Sequence, residues 1–246
     1  MAYDLISFDL DGTLVDTAGE IAEAANLALA AHGLARRPVA EITDLIGAGT
    51  RELMRRLLAR CVLEQPSSMQ AIDPNAVLAS FDAHYARTSG SSASPYEGCH
   101  EALAQLRGAG VHLACTTNKE LRHARRVLTA TALEGYFHLV IGGDSLPEKK
   151  PHASVLRHVA ATLGIDLARV AHVGDSAIDI QSARNAGVIA WAVPYGYNGG
   201  VPIAQAAPDH TFQRLTDVAA HVIQSRAQEA RSHGPARTSS LSEAGG

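Results

Sequence analysis

From Glu97 onward the chain alternates short apolar runs with segments of helical period, and this alternation limits the fold more than any other feature. Helical spacing over 98–108 precedes an apolar strand at 111–116, a helix at 120–131 and an apolar run at His138–Ile141. A helix at 153–163 then leads to Val170–Val173, a helix at 177–186 and a last strand at 188–193. Strands joined through helices lie parallel, with right-handed crossovers. The expected class is therefore α/β, a doubly wound parallel sheet (Rossmann-like), with Leu5-Ile6-Ser7-Phe8 as its first strand. In such sheets function gathers beyond the carboxyl ends of the strands.

The stretch between first strand and alternating half carries no strand signal. Residues 19–33 place Ile21, Ala24, Ala25, Ala28 and Leu29 at helical spacing, Arg51–Val62 repeats the pattern, and 76–86 supplies a third helix. This predicts an inserted small α-helical cap over 17–95, hinged at Thr17-Ala18-Gly19 and at the Ser-rich run 89–94, on a core of 1–16 and 96–225. Residues 226–246 have few large apolar groups and are expected to form a disordered tail.

Composition narrows the partners. A chain of 246 residues that is 46% hydrophobic can bury a core and a second unit, and a net charge of −4 offers no basic surface for nucleic acid. A small molecule is the expected partner. Cys61, Cys99 and Cys115 are odd in number and far apart, which suggests packed thiols rather than disulfides or a zinc site. The first residues enter a strand directly, and no run of eighteen apolar residues occurs, so no membrane contact and a cytoplasmic location are expected.

Candidate chemistry sits at the strand ends. Asp9 and Asp11, in Asp-Leu-Asp-Gly-Thr, follow the first strand. Two like charges about 4 Å apart at an effective dielectric near 20 repel by roughly 4 kcal/mol, so the pair suggests a bound cation or a retained proton. Asp9 could then attack an electrophile while Asp11 carries a proton to and from a leaving oxygen; a solvated, Asp-capped turn would use the same residues. The next strand runs into Thr117-Asn118-Lys119, either oxyanion donors or an N-cap. Lys150 precedes a helix start, where a cation could screen a phosphate or simply lie exposed. Gly174-Asp175-Ser176-Ala177-Ile178-Asp179 follows Val170–Val173, and Asp175 with Asp9 suits a hard cation such as Mg²⁺, although Asp175 could equally cap the next helix. Of 21 basic side chains only Lys119, Lys149 and Lys150 are lysines, and all three flank these segments.

These four segments, in this order, resemble the haloacid dehalogenase-like hydrolase superfamily, and Thr117-Asn118-Lys119, Lys149-Lys150-Pro151-His152 and Tyr195-Gly196-Tyr197-Asn198 are similar to its bacterial phosphoglycolate phosphatases. The resemblance implies Asp9 as nucleophile, Asp11 as general acid/base, and Thr117 and Lys150 as catalytic phosphate contacts. It also implies Mg²⁺ held by Asp9, the main-chain carbonyl of Asp11, and Asp175, with Asp179 and Ser176 in support. Asn118 would bind substrate, and Arg51 in the Gly47-Ala48-Gly49-Thr50-Arg51 turn, which resembles the substrate loop of capped relatives, could pair with a substrate carboxylate or simply be an exposed helix arginine. The implied activity is hydrolysis of a small phosphate monoester, 2-phosphoglycolate above all. A sugar-phosphate phosphatase or mutase and a phospho-Asp signalling module are the alternatives, and the oligomeric state stays open.

Overall fold

The computed structural model describes residues 2–64 and 72–232. Six parallel strands form the central sheet: β1 (Leu5–Phe8), β4 (His112–Thr116), β5 (Leu139–Ile141), β6 (Val170–Gly174), β7 (Ile189–Ala192) and β8 (His210–Thr211), in the order β5-β4-β1-β6-β7-β8. The registers Phe8↔Cys115 and Phe8↔Val173 bring the carboxyl ends of β1, β4 and β6 side by side. β1 lies centrally because all four of its residues are buried, as a strand covered on both faces requires.

Helices α5 (Cys99–Gly108), α6 (Leu121–Ala130), α7 (Ala153–Leu163), α8 (Ala177–Ala186) and α9 (Leu215–Ser232) cover the two faces. One face packs Phe8, Leu103, Leu113, Val127, Trp191 and Val218 together; the other gathers Leu5, Leu156, Val159, Ile180 and Ala190. Both α7 and α8 end at a left-handed glycine, Gly164 and Gly187, where a side chain would strain the backbone. The free thiols Cys61, Cys99 and Cys115 are buried in apolar packing, and burial pushes Cys99 up to about 12.

Between β1 and α5 the chain leaves the sheet through a two-stranded ribbon, β2 (Val15–Asp16) paired antiparallel with β3 (Ser94–Pro95). Helices α1 (Ala18–Ala31), α2 (Val39–Thr43), α3 (Thr50–Glu64) and α4 (Pro74–Thr88) lie beyond it around an apolar cluster of their own, including Ile21, Leu29, Met54, Leu57, Val77 and Phe81.

Three expectations are corrected. The strand at 188–193 is followed by a further one, β8, held by Asp209 N donating to the Ala190 carbonyl at 2.7 Å. The ribbon strand β3 ends the stretch expected to be wholly helical. Residues 226–232 are the last turns of α9, anchored because Arg226 donates to the Tyr3 carbonyl at 2.9 Å and Glu229 pairs with Arg169 at 3.0 Å. Polar anchoring replaced the apolar burial whose lack had suggested disorder. Residues 233–246 of the expected tail lie outside the described residues.

Candidate active site

The side chains of Asp9, Asp175 and Asp179 converge beyond β1 and β6, with one oxygen from each within 4.8 Å of the others, all buried. Three carboxylates this close repel strongly away from water, and one lysine lies among them. Lys150 Nζ is 2.9 Å from Asp9 Oδ1 and 2.7 Å from Asp179 Oδ1. Its hydrogen bond is aligned on Asp179, so Asp9 Oδ1 is ion-paired yet buried without an aligned donor.

Asp179 is fully engaged. Its Oδ1 faces Lys150 and His172, and its Oδ2 accepts from Ser176 Oγ at 2.6 Å and Ser176 N at 3.1 Å in the capping box that starts α8. Asp175 is oriented by Thr13 Oγ1, which donates at 2.7 Å, and by the Tyr197 N–H at 2.6 Å. Gly12, at φ +85°, lets the turn close on this acid, since a Cβ there would lie 2.4 Å from Asp175 Oδ2. His172 continues the polar chain across the sheet to Ser7 at 3.0 Å, which donates to Thr116 at 2.8 Å.

Burial sets the electrostatics. It pushes the Asp9 carboxyl up to about 6, opposed by Lys150 and aided by Asp179 and Asp11, and it raises Asp175 well above the ordinary carboxylate range. Burial would raise Asp179 too, but the Lys150 charge and the His172 hydrogen bond outweigh it and hold this carboxyl well below the usual range. For Lys150 burial works against the ammonium, yet Asp179 and Asp9 more than offset it and hold the amine above its ordinary value. Three acids around one ammonium leave an excess of negative charge with oxygen-only donors, and the buried Asp9 Oδ1 lacks an aligned donor. This donor set fits a hard divalent cation.

Asp9 and Asp11 each face a lysine of their own, Lys150 for the first and Lys119 for the second. Lys119 Nζ donates to Asp11 Oδ1 at 2.7 Å and Oδ2 at 2.8 Å, and Thr17 Oγ1 donates to Oδ1 at 2.6 Å. The Asp11 carboxylate therefore lies outside the acid trio, where Asp179 stands in its place. Thr117 is buried at the end of β4, its N–H on the Ile141 carbonyl at 2.9 Å. The Asn118 side chain is a tie rather than a free substrate donor: Nδ2 donates to the carbonyls of Gly47 at 3.1 Å and Lys150 at 3.0 Å.

A small cavity of about 20 Å³ opens over these residues, floored by Asp9, Asp11, Thr117 and Lys119 and roofed by Ile21, Ile46 and Leu53 from the inserted segment. The roof is seated on the sheet by Lys149 Nζ, which donates to the Ala48 carbonyl at 2.6 Å, by Thr50 Oγ1 on the Glu120 carboxylate at 2.8 Å, and by the Arg122–Asp82 pair. Gly49, at φ +92°, permits the close approach, since a Cβ would lie 2.8 Å from the Asn118 carbonyl. Arg51 does not join the cavity; it is exposed on α3 and lines an outer groove with Asn75 and Leu78. The α-helical period is the reason, because the residue beside the inward Thr50 points away from the sheet.

Sequence reasoning gave Tyr197, Thr13 and Thr17 no role in holding the site acids, yet Thr13 and Tyr197 orient Asp175 and Thr17 holds Asp11. Tyr197 Oη accepts from the Thr17 N–H at 2.8 Å and the Ala18 N–H at 3.0 Å and donates to Asp16, so one ring holds the exit from the sheet while its N–H orients Asp175. The Tyr195-Gly196-Tyr197-Asn198 run was visible, but not what it touches.

A parallel sheet that gathers four acids and two lysines at its carboxyl edge, beneath an inserted helical roof, has the architecture of a phosphotransfer hydrolase. The match is specific: residues 6–193 fit the model of the haloacid dehalogenase-like hydrolases, and the chain belongs to that family. It is 41% identical over 203 residues to the plasmid-encoded phosphoglycolate phosphatase of Cupriavidus necator, covering 82% of this chain and 86% of that one. It is 35% identical over 214 residues to the phosphoglycolate phosphatase of Thiobacillus denitrificans, covering 87% and 93%. The crystal structure of a predicted phosphoglycolate phosphatase from Haemophilus somnus superposes with a TM-score of 0.85 at 31% identity, covering 89% of this chain and 97% of that one. The chain is a phosphatase, a phosphoric monoester hydrolase. No helix among the described residues is long and apolar enough to cross a membrane.

Proposed function

We propose that the protein hydrolyses 2-phosphoglycolate to glycolate and phosphate by way of a phosphorylated Asp9. The observation that carries this is the placement of Asp9: buried, 2.9 Å from Lys150, on the floor of a small cavity, with one oxygen lacking an aligned donor. The names of the relatives from Cupriavidus and Thiobacillus support the substrate.

Asp9 attacks phosphorus in line, the bond from phosphorus to the ester oxygen breaks, and its electron pair leaves with that oxygen, which takes a proton from Asp11. Asp11 then removes a proton from water, the resulting hydroxide attacks phosphorus, and the electron pair of the cleaved acyl phosphate returns to Asp9. Lys150, Thr117 and the main-chain N–H groups of Leu10 and Asn118 hold the phosphoryl oxygens. Asp9, Asp175 and the Asp11 carbonyl would hold Mg²⁺, with Asp179 and Ser176 as braces for the site. When bound, the ion supplies charge that offsets the repulsion between carboxylate and phosphoryl dianion. The helices of 17–95 act as a cap that excludes water from the core of 1–16 and 96–225. The small-molecule ester is the partner, acting on a cytoplasmic enzyme.

A phosphate-release panel with and without Mg²⁺ tests this. Expected is turnover of 2-phosphoglycolate above that of sugar phosphates, nucleotides and pyrophosphate, abolished by EDTA. A preference for a sugar phosphate, or undiminished turnover in EDTA, contradicts it.

A further inference from the structure

The cavity holds a cation that the steps above do not use. Among its lining residues Lys119 is the one basic side chain, and it is wholly enclosed. Asp11 takes two of its three N–H donors, which leaves one for a ligand. The inserted helices cover it: the Tyr85 ring centroid lies 5.0 Å from Nζ, and Tyr85 Oη donates to the buried Glu20 at 3.2 Å.

We propose that Lys119 selects the substrate by taking the carboxylate of the ester's alcohol and, in doing so, releases Asp11 towards the ester oxygen. The inference rests on the phosphoglycolate reading and deepens it to a class: phosphate esters whose alcohol carries a carboxylate one carbon from the ester oxygen. Position argues for it. A phosphoryl group at Asp9 puts the ester oxygen within reach of Asp11, and the carboxylate of phosphoglycolate stands one methylene further on, beside the ammonium that Asp11 already touches. Ile21, Ile46 and Leu53 give that methylene an apolar roof. Charge argues the same way, because a second anionic group entering over Asp9 and Asp11 meets repulsion unless a cation receives it. Arg51, the cation proposed for this task from sequence, lines a different groove.

The arrangement has two states. Without a carboxylate in the cavity, Lys119 holds both Asp11 oxygens. An incoming carboxylate competes for the ammonium, and Asp11 keeps only its bond from Thr17. An ester lacking the carboxylate leaves the pair closed, so the carboxylate acts on turnover as well as on binding.

The test compares 2-phosphoglycolate with ethyl phosphate, in which a methyl group replaces the carboxylate. In the unaltered protein with Mg²⁺, kcat as well as kcat/KM is expected to favour phosphoglycolate. Equal kcat with a difference confined to KM overturns the release of Asp11. Lys119→Met is expected to lower kcat/KM for phosphoglycolate on the order of 10- to 100-fold while ethyl phosphate turnover holds or rises. Lys119→Arg should restore part of the preference, and Arg51→Ala should leave both substrates unchanged. Lys119→Gln, which keeps a hydrogen-bond donor without charge, repeats the comparison should the Met variant fold poorly. Equal losses on both substrates in the Lys119 variants overturn the proposal while leaving the phosphoglycolate reading intact. An unaltered protein that ignores phosphoglycolate overturns both, and is recognised before any variant is made.

Discussion

Two aspartates two positions apart end up in opposite roles because each meets a different lysine. Asp9 points to Lys150 and the acid trio, whereas Asp11 is gripped by Lys119 and Thr17. The acids were legible from their spacing after an apolar strand; the partition was not, because it depends on two strand ends, after β4 and before α7, that only the folded sheet brings together. Burial holds Asp9 at about 6 against an ordinary 3.8, so in metal-free protein the fold favours its protonated form. That contribution to stability is fully present below about 3.8 and is lost as pH rises through about 6, with Asp175 shifted in the same sense. Urea melts in EDTA are expected to show lower stability at pH 7.5 than at pH 5 from these groups. Mg²⁺ should recover the difference at the higher pH, with proton release on binding near pH 6. Stability that rises with pH in EDTA and ignores Mg²⁺ would count against this electrostatic account.

Between Glu97 and Val193 the helices of the sheet half were legible because each is periodic and bounded by turn residues; α7 and α8 span the residues that the pattern marks, whereas α9 was not marked. The two-residue strands β2, β3 and β8 were not, since two residues carry no period and their pairing comes from tertiary hydrogen bonds. Nor could spacing show that α3 turns Thr50 inward and Arg51 outward, because that phase is set by packing Leu53, Met54 and Leu57 on α1 and α4. At this scale Tyr197 is the joint between ribbon and site. Tyr197→Phe removes the hydroxyl that serves Thr17, Ala18 and Asp16 but keeps the N–H on Asp175. It is expected to cost about 1–2 kcal/mol of stability and to lower kcat while Mg²⁺ affinity stays near that of the parent. Calorimetry and a Mg²⁺ titration of activity check this, and a large loss of metal affinity would show that the hydroxyl, not the backbone, positions Asp175.

Across the whole molecule the sheet is closed off at the far end of its strands by ion pairs that no motif announced. Asp4 pairs with Arg169 and Arg226, and Glu229 accepts from the Ala2 N–H at 3.1 Å and pairs with Arg169, so the start of β1, the entry to β6 and the last turns of α9 form one network. Composition pointed the other way because few large apolar groups follow residue 225, and the chain there is held by charge instead. Ending the chain after Ser225 is expected to lower the melting temperature, more at low salt than at high, with kcat unchanged because the network lies at the opposite end of the strands from Asp9. A thermal melt at two ionic strengths reads this; a loss of turnover without a loss of stability would place α9 in the chemistry instead.

The central claim is that one carboxylate, Asp9, carries the phosphoryl group in transit. Rapid acid quench of the working enzyme, borohydride reduction and peptide mass spectrometry measure this directly. The account predicts homoserine at position 9, formed from the acyl phosphate, and none in Asp9→Asn, which should fold yet lose turnover. Reduction at another acid, or an active Asp9→Asn protein, would contradict it.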